Sequence, residues 1–291
     1  MMPEERMIIL ENEKLKLTFS QDAYSGQRFD NTGIVTQLEL KSEEGKNTTF
    51  CTKERLEPGE GSGGIGLANE FDIEGPDSYD GAEEGGAFLK IGVGWLRKPR
   101  GCDYFFMDSY EVIDAGKLDV SVSESRDAIR IRWDSGVHNG YGCLYEKTIE
   151  LVGKNVKVSY ALTNTGSTSF QTKEYAHNFV NVGNAQVEEG IYDLSLTDSG
   201  RGNLMRGRFI DYSLQESNIA VDPGDYPGCR GWQLTRKEDG LSISETVDFS
   251  PVKIGIWSRN HVVSCELFNE VKLEPGEAAE WSRTYTIAGE R

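Results

Sequence analysis

Histidine is scarce in this 291-residue chain: His138, His177 and His261 are the complete set. They lie far apart without paired spacing, which argues against a histidine-based zinc centre. The five cysteines (Cys51, Cys102, Cys143, Cys229 and Cys265) are scattered, odd in number and without a Cys-x-x-Cys pair. They read as reduced thiols in a cytoplasmic protein, where the Asn47-Thr48-Thr49 sequon has no role. No apolar run approaches the roughly 20 residues of a membrane span. The start, Met1-Met2-Pro3-Glu4-Glu5-Arg6, lacks the basic and apolar regions of a signal peptide. Positive charge is short as well: 31 Lys and Arg stand against 48 Asp and Glu, a net charge of −17. That balance argues against nucleic acid and membrane surfaces as partners and leaves a neutral small molecule as the easiest one. A phosphorylated ligand would need a local basic patch. The candidates are Arg97-Lys98-Pro99-Arg100, and Arg201 with Arg206 and Arg208, and both also read as solvated loop charges.

Helical periodicity is missing too, and alternation with period two takes its place. Leu15, Leu17 and Phe19 alternate with Lys14, Lys16 and Thr18, and Val156, Val158, Tyr160 and Leu162 alternate with polar neighbours. Leu118/Val120/Val122, Ile129/Ile131/Trp133, Val252/Ile254/Ile256 and Tyr285/Ile287 repeat the pattern. Such strands place one face on a core and one in water, as antiparallel sheets do. Gly153-Lys154-Asn155 predicts a hairpin turn, and the 33 glycines suit a turn-rich chain. Residues 58–99 and 198–231 resist strand assignment and read as ordered loops shaping a cleft. Neither a repeat nor a linker is visible, so the expectation is one all-β domain over residues 1–291.

Two motif-like stretches fail on context. Gly61, Gly63 and Gly66 fit GxGxxG, yet no βαβ unit surrounds them, and a tightly turned loop is the plainer reading. Asp72, Asp77, Asp80, Glu83 and Glu84 form an acidic loop without the alternating ligand spacing of an EF-hand. No metal or redox cofactor is implied.

His177 carries more weight. On an extended strand Tyr175, His177, Phe179 and Asn181 share a face, giving the rings and polar groups that a sugar pocket needs. A core histidine with satisfied hydrogen bonds is the alternative. Glu266 sits in the apolar run Ser264-Cys265-Glu266-Leu267-Phe268, where burial is costly unless the carboxylate is paired or faces a cleft. Burial would tune it toward acid–base work. A solvent-facing edge residue is the alternative there. Trp257 and Arg259, just upstream, are placed to line the same cleft.

These residues resemble motifs of the galactose mutarotase (aldose 1-epimerase) superfamily, with this chain as a divergent member. His177-Asn178-Phe179-Val180-Asn181 is similar to the family's mid-chain His-x-x-Phe-Asn motif with one residue shifted. Glu266, then Leu273-Glu274-Pro275-Gly276-Glu277 and Tyr285, resemble its C-terminal glutamate, turn and last strand in order and spacing. The resemblance implies a β-supersandwich of large antiparallel sheets binding a small carbohydrate. It implies that Glu266 takes the anomeric proton while protonated His177 donates to the ring oxygen, from opposite walls about one pyranose ring apart. Arg28, Lys90, Asn178, Trp257 and Arg259 would hold the sugar. Lys90 stands roughly where the family has a first-half histidine that this chain lacks. That absence keeps open a second reading, a catalytically silent carbohydrate-binding protein on the same fold.

Overall fold

Alternating apolar residues produce one-sided strands in much of the computed structural model, which describes residues 7–42, 45–57, 59–198 and 204–289. Lys117–Val122, at the end of its sheet, departs from this, since Leu118 and Val122 stay exposed despite the alternation. Residues 1–6 and Arg201 lie outside the described residues. In Leu15–Ser20 the side chains of Leu15, Leu17 and Phe19 are buried, and in Asn155–Asn164 those of Val156, Val158, Tyr160 and Leu162 are. Tyr141–Val152 runs into Asn155–Asn164 through Gly153-Lys154, with Val152 paired to Asn155 and Gly153 at a φ of 59°. The positive φ explains the glycine in that turn.

Among the described residues, the strands form two nine-stranded antiparallel sheets and one of three strands. The first large sheet runs Met7–Glu11, Leu15–Ser20, Ile34–Leu40, Leu67–Phe71, Phe170–Asn178, Val262–Leu273, Lys253–Arg259 and Glu216–Val221, with Thr48–Thr49 beside Ile34–Leu40. Ala278–Ala288 lies centrally in the second, between Ser242–Val247 and Asn155–Asn164. One continuous apolar cluster draws side chains from both sheets, among them Phe71, Tyr145, Trp232 and Trp281. This is the sheet-on-sheet core of a sandwich.

The two stretches read as loops contain regular structure. Residues 58–99 hold Leu67–Phe71, Ala87–Lys90, Gly94–Arg97 and a short helix at Asp77–Gly81. Residues 198–231 hold Leu204–Arg206 and Glu216–Val221. Leu67–Phe71 escaped notice because it is buried on both faces, so Asn69 and Glu70 sit inside and no alternation remains.

Charge, and not only apolar area, joins the large sheets. Arg283 of the second sheet donates to Glu174 of the first at 2.7 and 3.2 Å and to Glu245 at 2.8 Å, all three fully buried. Lys147 of the second sheet likewise reaches Asp30 at 2.7 Å. Removing one member of such a group strands its partners in low dielectric. Arg283→Leu should therefore cost about 3–5 kcal/mol, measured as a lower denaturation midpoint. All five cysteines are free and Cys102 alone is exposed, so a thiol reagent should label one site in the native protein and five after unfolding.

Candidate functional site

Strand parity decides which side chains of Phe170–Asn178 meet the second sheet. Glu174 and Asn178 point inward: Asn178 donates to the Cys265 carbonyl at 2.8 Å and to Glu245 at 3.2 Å, and accepts from Tyr285 at 2.9 Å. Tyr175 and His177 point outward. On the neighbouring strand Val262–Leu273, Ser264, Glu266 and Phe268 share that outer face, while Cys265 and Leu267 enter the core. Asn178 is thus part of the inter-sheet network and not of the outer face.

His177 and Glu266 meet directly, with Nε2 at 3.2 Å from Oε1. They are in contact, so the expected gap one pyranose ring wide is absent, yet they share one face and one cavity. Ser264 Oγ donates to the same carboxylate oxygen at 3.1 Å. The imidazole stacks on Phe179 at 4.1 Å and meets the Trp257 ring edge at 5.4 Å. Among the described residues, its buried Nδ1 finds no hydrogen-bond partner. Gly255 pairs with Glu266 across the strands, and a Cβ there would sit 2.8 Å from Oε2, so this glycine leaves room for the carboxylate.

Burial drives both groups toward neutrality. It pushes the Glu266 carboxyl up from 4.5 to about 7, against the opposing pull of the Arg28 charge and the Ser264 hydrogen bond. Burial also holds the His177 imidazolium well below its ordinary 6.5, and the nearby Arg28 charge adds to that. Both shifts favour the uncharged forms, a carboxylic acid at Glu266 beside a neutral imidazole.

Arg28 forms one wall. Its Nε donates to Glu70 at 2.8 Å, its Nη2 to the Tyr175 hydroxyl at 3.3 Å, and the rings of Phe29 and Phe106 each lie 4.7 Å from the guanidinium. The Tyr175 hydroxyl donates to the same Glu70 oxygen. Glu70 was missed in the sequence, although a glutamate inside Leu67-Ala68-Asn69-Glu70-Phe71 is the same anomaly that singled out Glu266. Lys90 is buried behind Glu70, 3.9 Å from its second carboxylate oxygen, and donates to the Tyr104 hydroxyl at 2.7 Å. It does not line the cavity. Trp257 does, and donates to Glu216 at 2.8 Å. Arg259 lies one ion pair further out, its Nε 3.9 Å from Glu216, and faces a second cavity.

The cavity holding the pair measures about 270 Å³ and takes Arg28, Tyr175, His177, Trp257 and Glu266 as walls. Arg55, Phe106 and Met107 join them, and Ile73, Glu216 and Asn218 come from the two segments read as cleft-shaping loops. The second cavity is larger, about 750 Å³, and is not lined by His177 or Glu266.

Other sequence candidates have structural work. The glycine-rich loop wraps a carboxylate: Glu54 accepts from the backbone of Ser62 at 2.8 Å and of Gly64 at 3.2 Å. In the acidic loop, Asp72 and Asp77 accept from the backbone of Lys173 and Gln171. Arg97 is paired with Glu111 at 2.6 Å, and Arg206 lies 3.8 Å from Asp193. Among the described residues, no group of three or more His, Cys, Asp or Glu side chains is disposed to hold a metal ion.

No family model and no curated protein matches the sequence. Solved structures do match the fold. The Slr1438 protein from Synechocystis superposes with a TM-score of 0.62 at 12% identity, covering 99% of this chain and 97% of that one. A galactose mutarotase-like protein from Lactobacillus casei gives 0.60 at 14% identity, covering 97% and 100%. The GalM/aldose epimerase homologue from C. elegans gives 0.57 at 9% identity, covering 99% and 100%. The chain has the galactose mutarotase-like sandwich fold.

The raised Glu266 pKa has a stability consequence. Between about 4.5 and 7 the folded carboxyl holds a proton that the unfolded one has lost, so its contribution to stability falls as pH rises through that window. Glu266→Gln keeps the shape without the titration. Denaturation at pH 4.5–8.5 should show the variant gaining roughly 2–4 kcal/mol on wild type from low to neutral pH, then a constant difference.

Proposed function

We propose that the protein interconverts the anomers of an aldose, with His177 and Glu266 as the acid–base pair. The contact between them, 3.2 Å long and opening on a small cavity walled by Arg28 and Trp257, carries this reading. Anomer exchange begins with one proton leaving O1 and one arriving at the ring oxygen. Both oxygens are bonded to C1, so a touching pair suffices and no ring need fit between the two groups. The pair holds one proton, which matches what the ring opening moves.

The resting electrostatics favour an allotment opposite to that implied by the resemblance. Neutral Glu266 gives its proton to the ring oxygen as the C1–O bond breaks and its electron pair moves to that oxygen. His177 Nε2 takes the O1 proton as the C1 carbonyl forms. Rotation about C1–C2 and the reverse transfers close the ring as the other anomer. Arg28, held by Glu70 and Tyr175, offers a fixed donor to sugar hydroxyls, and the Trp257 ring covers an apolar sugar face. The five free thiols support a reducing, cytoplasmic setting.

Anomer exchange across a panel of aldoses, followed by NMR saturation transfer, tests this. Glu266→Gln and His177→Asn should each lower kcat about 10²–10⁴-fold. Exchange that neither substitution slows would refute the assignment, and sugar binding without exchange would favour the binding-only reading. The wild-type rate should stay level from well below pH 6.5 up to about 7 and fall above it, as the pair loses its proton.

A further inference from the structure

The proposed reaction occupies only the smaller of two adjacent cavities. At about 270 Å³ it lies just below the range usual for ligand sites, roughly 300–1,000 Å³, and suits a single small ring. The neighbouring 750 Å³ cavity lies well inside that range. Glu216 stands at the boundary. It lines the inner cavity, is exposed to solvent, accepts from Trp257 and Arg55 at 2.8 Å each, and lies 3.9 Å from Arg259 of the outer cavity. A molecule seated against Trp257 therefore has the outer cavity one ion pair away.

Charge narrows the chemistry of that molecule. The inner cavity sets two carboxylates, Glu54 and Glu216, and the uncharged Glu266 against two guanidiniums, and both arginines are engaged, Arg28 with Glu70 and Arg55 with Glu216. The outer cavity sets Glu188, Glu189 and Asp211 against Arg208 and Arg259. Among the described residues, neither cavity has the net positive charge that a phosphate requires. Tyr212 and Leu214, the latter 57% exposed, give the outer cavity apolar surface beside its many polar groups. That mixture fits the face and edge of another sugar ring.

We propose that the outer cavity is a second saccharide subsite, so that the substrate is an uncharged reducing oligosaccharide with its reducing-end ring at His177–Glu266 and its next ring against Tyr212 and Leu214. The proposal rests on the anomer-exchange reading for the inner ring, and the two fail separately. The next ring is joined through a hydroxyl other than O1, which leaves the anomeric carbon free to react.

The test compares glucose with the reducing disaccharides maltose, cellobiose, lactose and gentiobiose, in wild type, Tyr212→Ala and Leu214→Ser. At least one disaccharide should exceed glucose in kcat/KM by roughly tenfold or more, the scale of a single good contact. Either substitution should remove that advantage and leave the glucose rate unchanged. Leu214 is exposed, so its variant keeps the test open if Tyr212→Ala folds poorly. Glucose turnover with no disaccharide advantage overturns the subsite and leaves the inner reaction standing. Calorimetry with the methyl glycosides of the same disaccharides, which cannot exchange anomers, separates the other case. Binding weakened by Leu214→Ser, with no exchange on any sugar, keeps the subsite and removes the reaction. No binding of any disaccharide overturns the subsite outright.

Discussion

Arg283, fully enclosed between Glu174 and Glu245, ties the two large sheets together by charge as well as by apolar packing. An ion triad in low dielectric tolerates little error, because each charge left without its partner costs several kcal/mol. It therefore fixes the register and the parity of the strand carrying Glu174. Once Glu174 faces the second sheet, Tyr175 and His177 must face away from it. Asn178, turned back inward, reinforces that orientation through Tyr285 and the Cys265 carbonyl. The polar network inside the sandwich thereby turns Tyr175 and His177 to the outer face.

On the outer face the same physics runs with looser pairing. Glu266 has a neutral histidine and a serine hydroxyl as partners, and Arg28, the cation that acts on it most strongly, is engaged by Glu70. A buried carboxyl without a dedicated counter-charge keeps its proton to higher pH, and a buried imidazole without an acceptor at Nδ1 resists charging. Full pairing builds the scaffold at Glu174, and partial pairing raises the Glu266 carboxyl toward neutrality. Glu70 stands between the two regimes. It anchors Arg28 and Tyr175 through one oxygen, while the other lies 3.9 Å from Lys90 and, among the described residues, accepts no hydrogen bond.

Much of this was legible along the chain. One-sided strands such as Asn155–Asn164 announce themselves by alternation, and Glu266 stood out as a charge in an apolar run. Period two also put Glu266 and Phe268 on one face and, applied strictly, puts Asn178 opposite His177. Leu67–Phe71 was hidden because both of its faces are buried and its polar residues pair with groups far along the chain. Asn69 reaches Glu174 and Tyr160, and Glu70 reaches Arg28. Lys90 has the sequence of a pocket residue, but the three-stranded sheet buries it against Tyr104.

The sequence by itself determined an all-β chain, the parity of its alternating strands and the chemical types that meet at His177 and Glu266. These follow from local periodicity and from the cost of burying charge. Only the tertiary structure decided that the two touch, that burial favours their uncharged forms, and that Arg28, held by Glu70, and Glu216 share their cavity. Distances, burial and pairing depend on strands distant in the chain, and local sequence carries no record of which strands become neighbours.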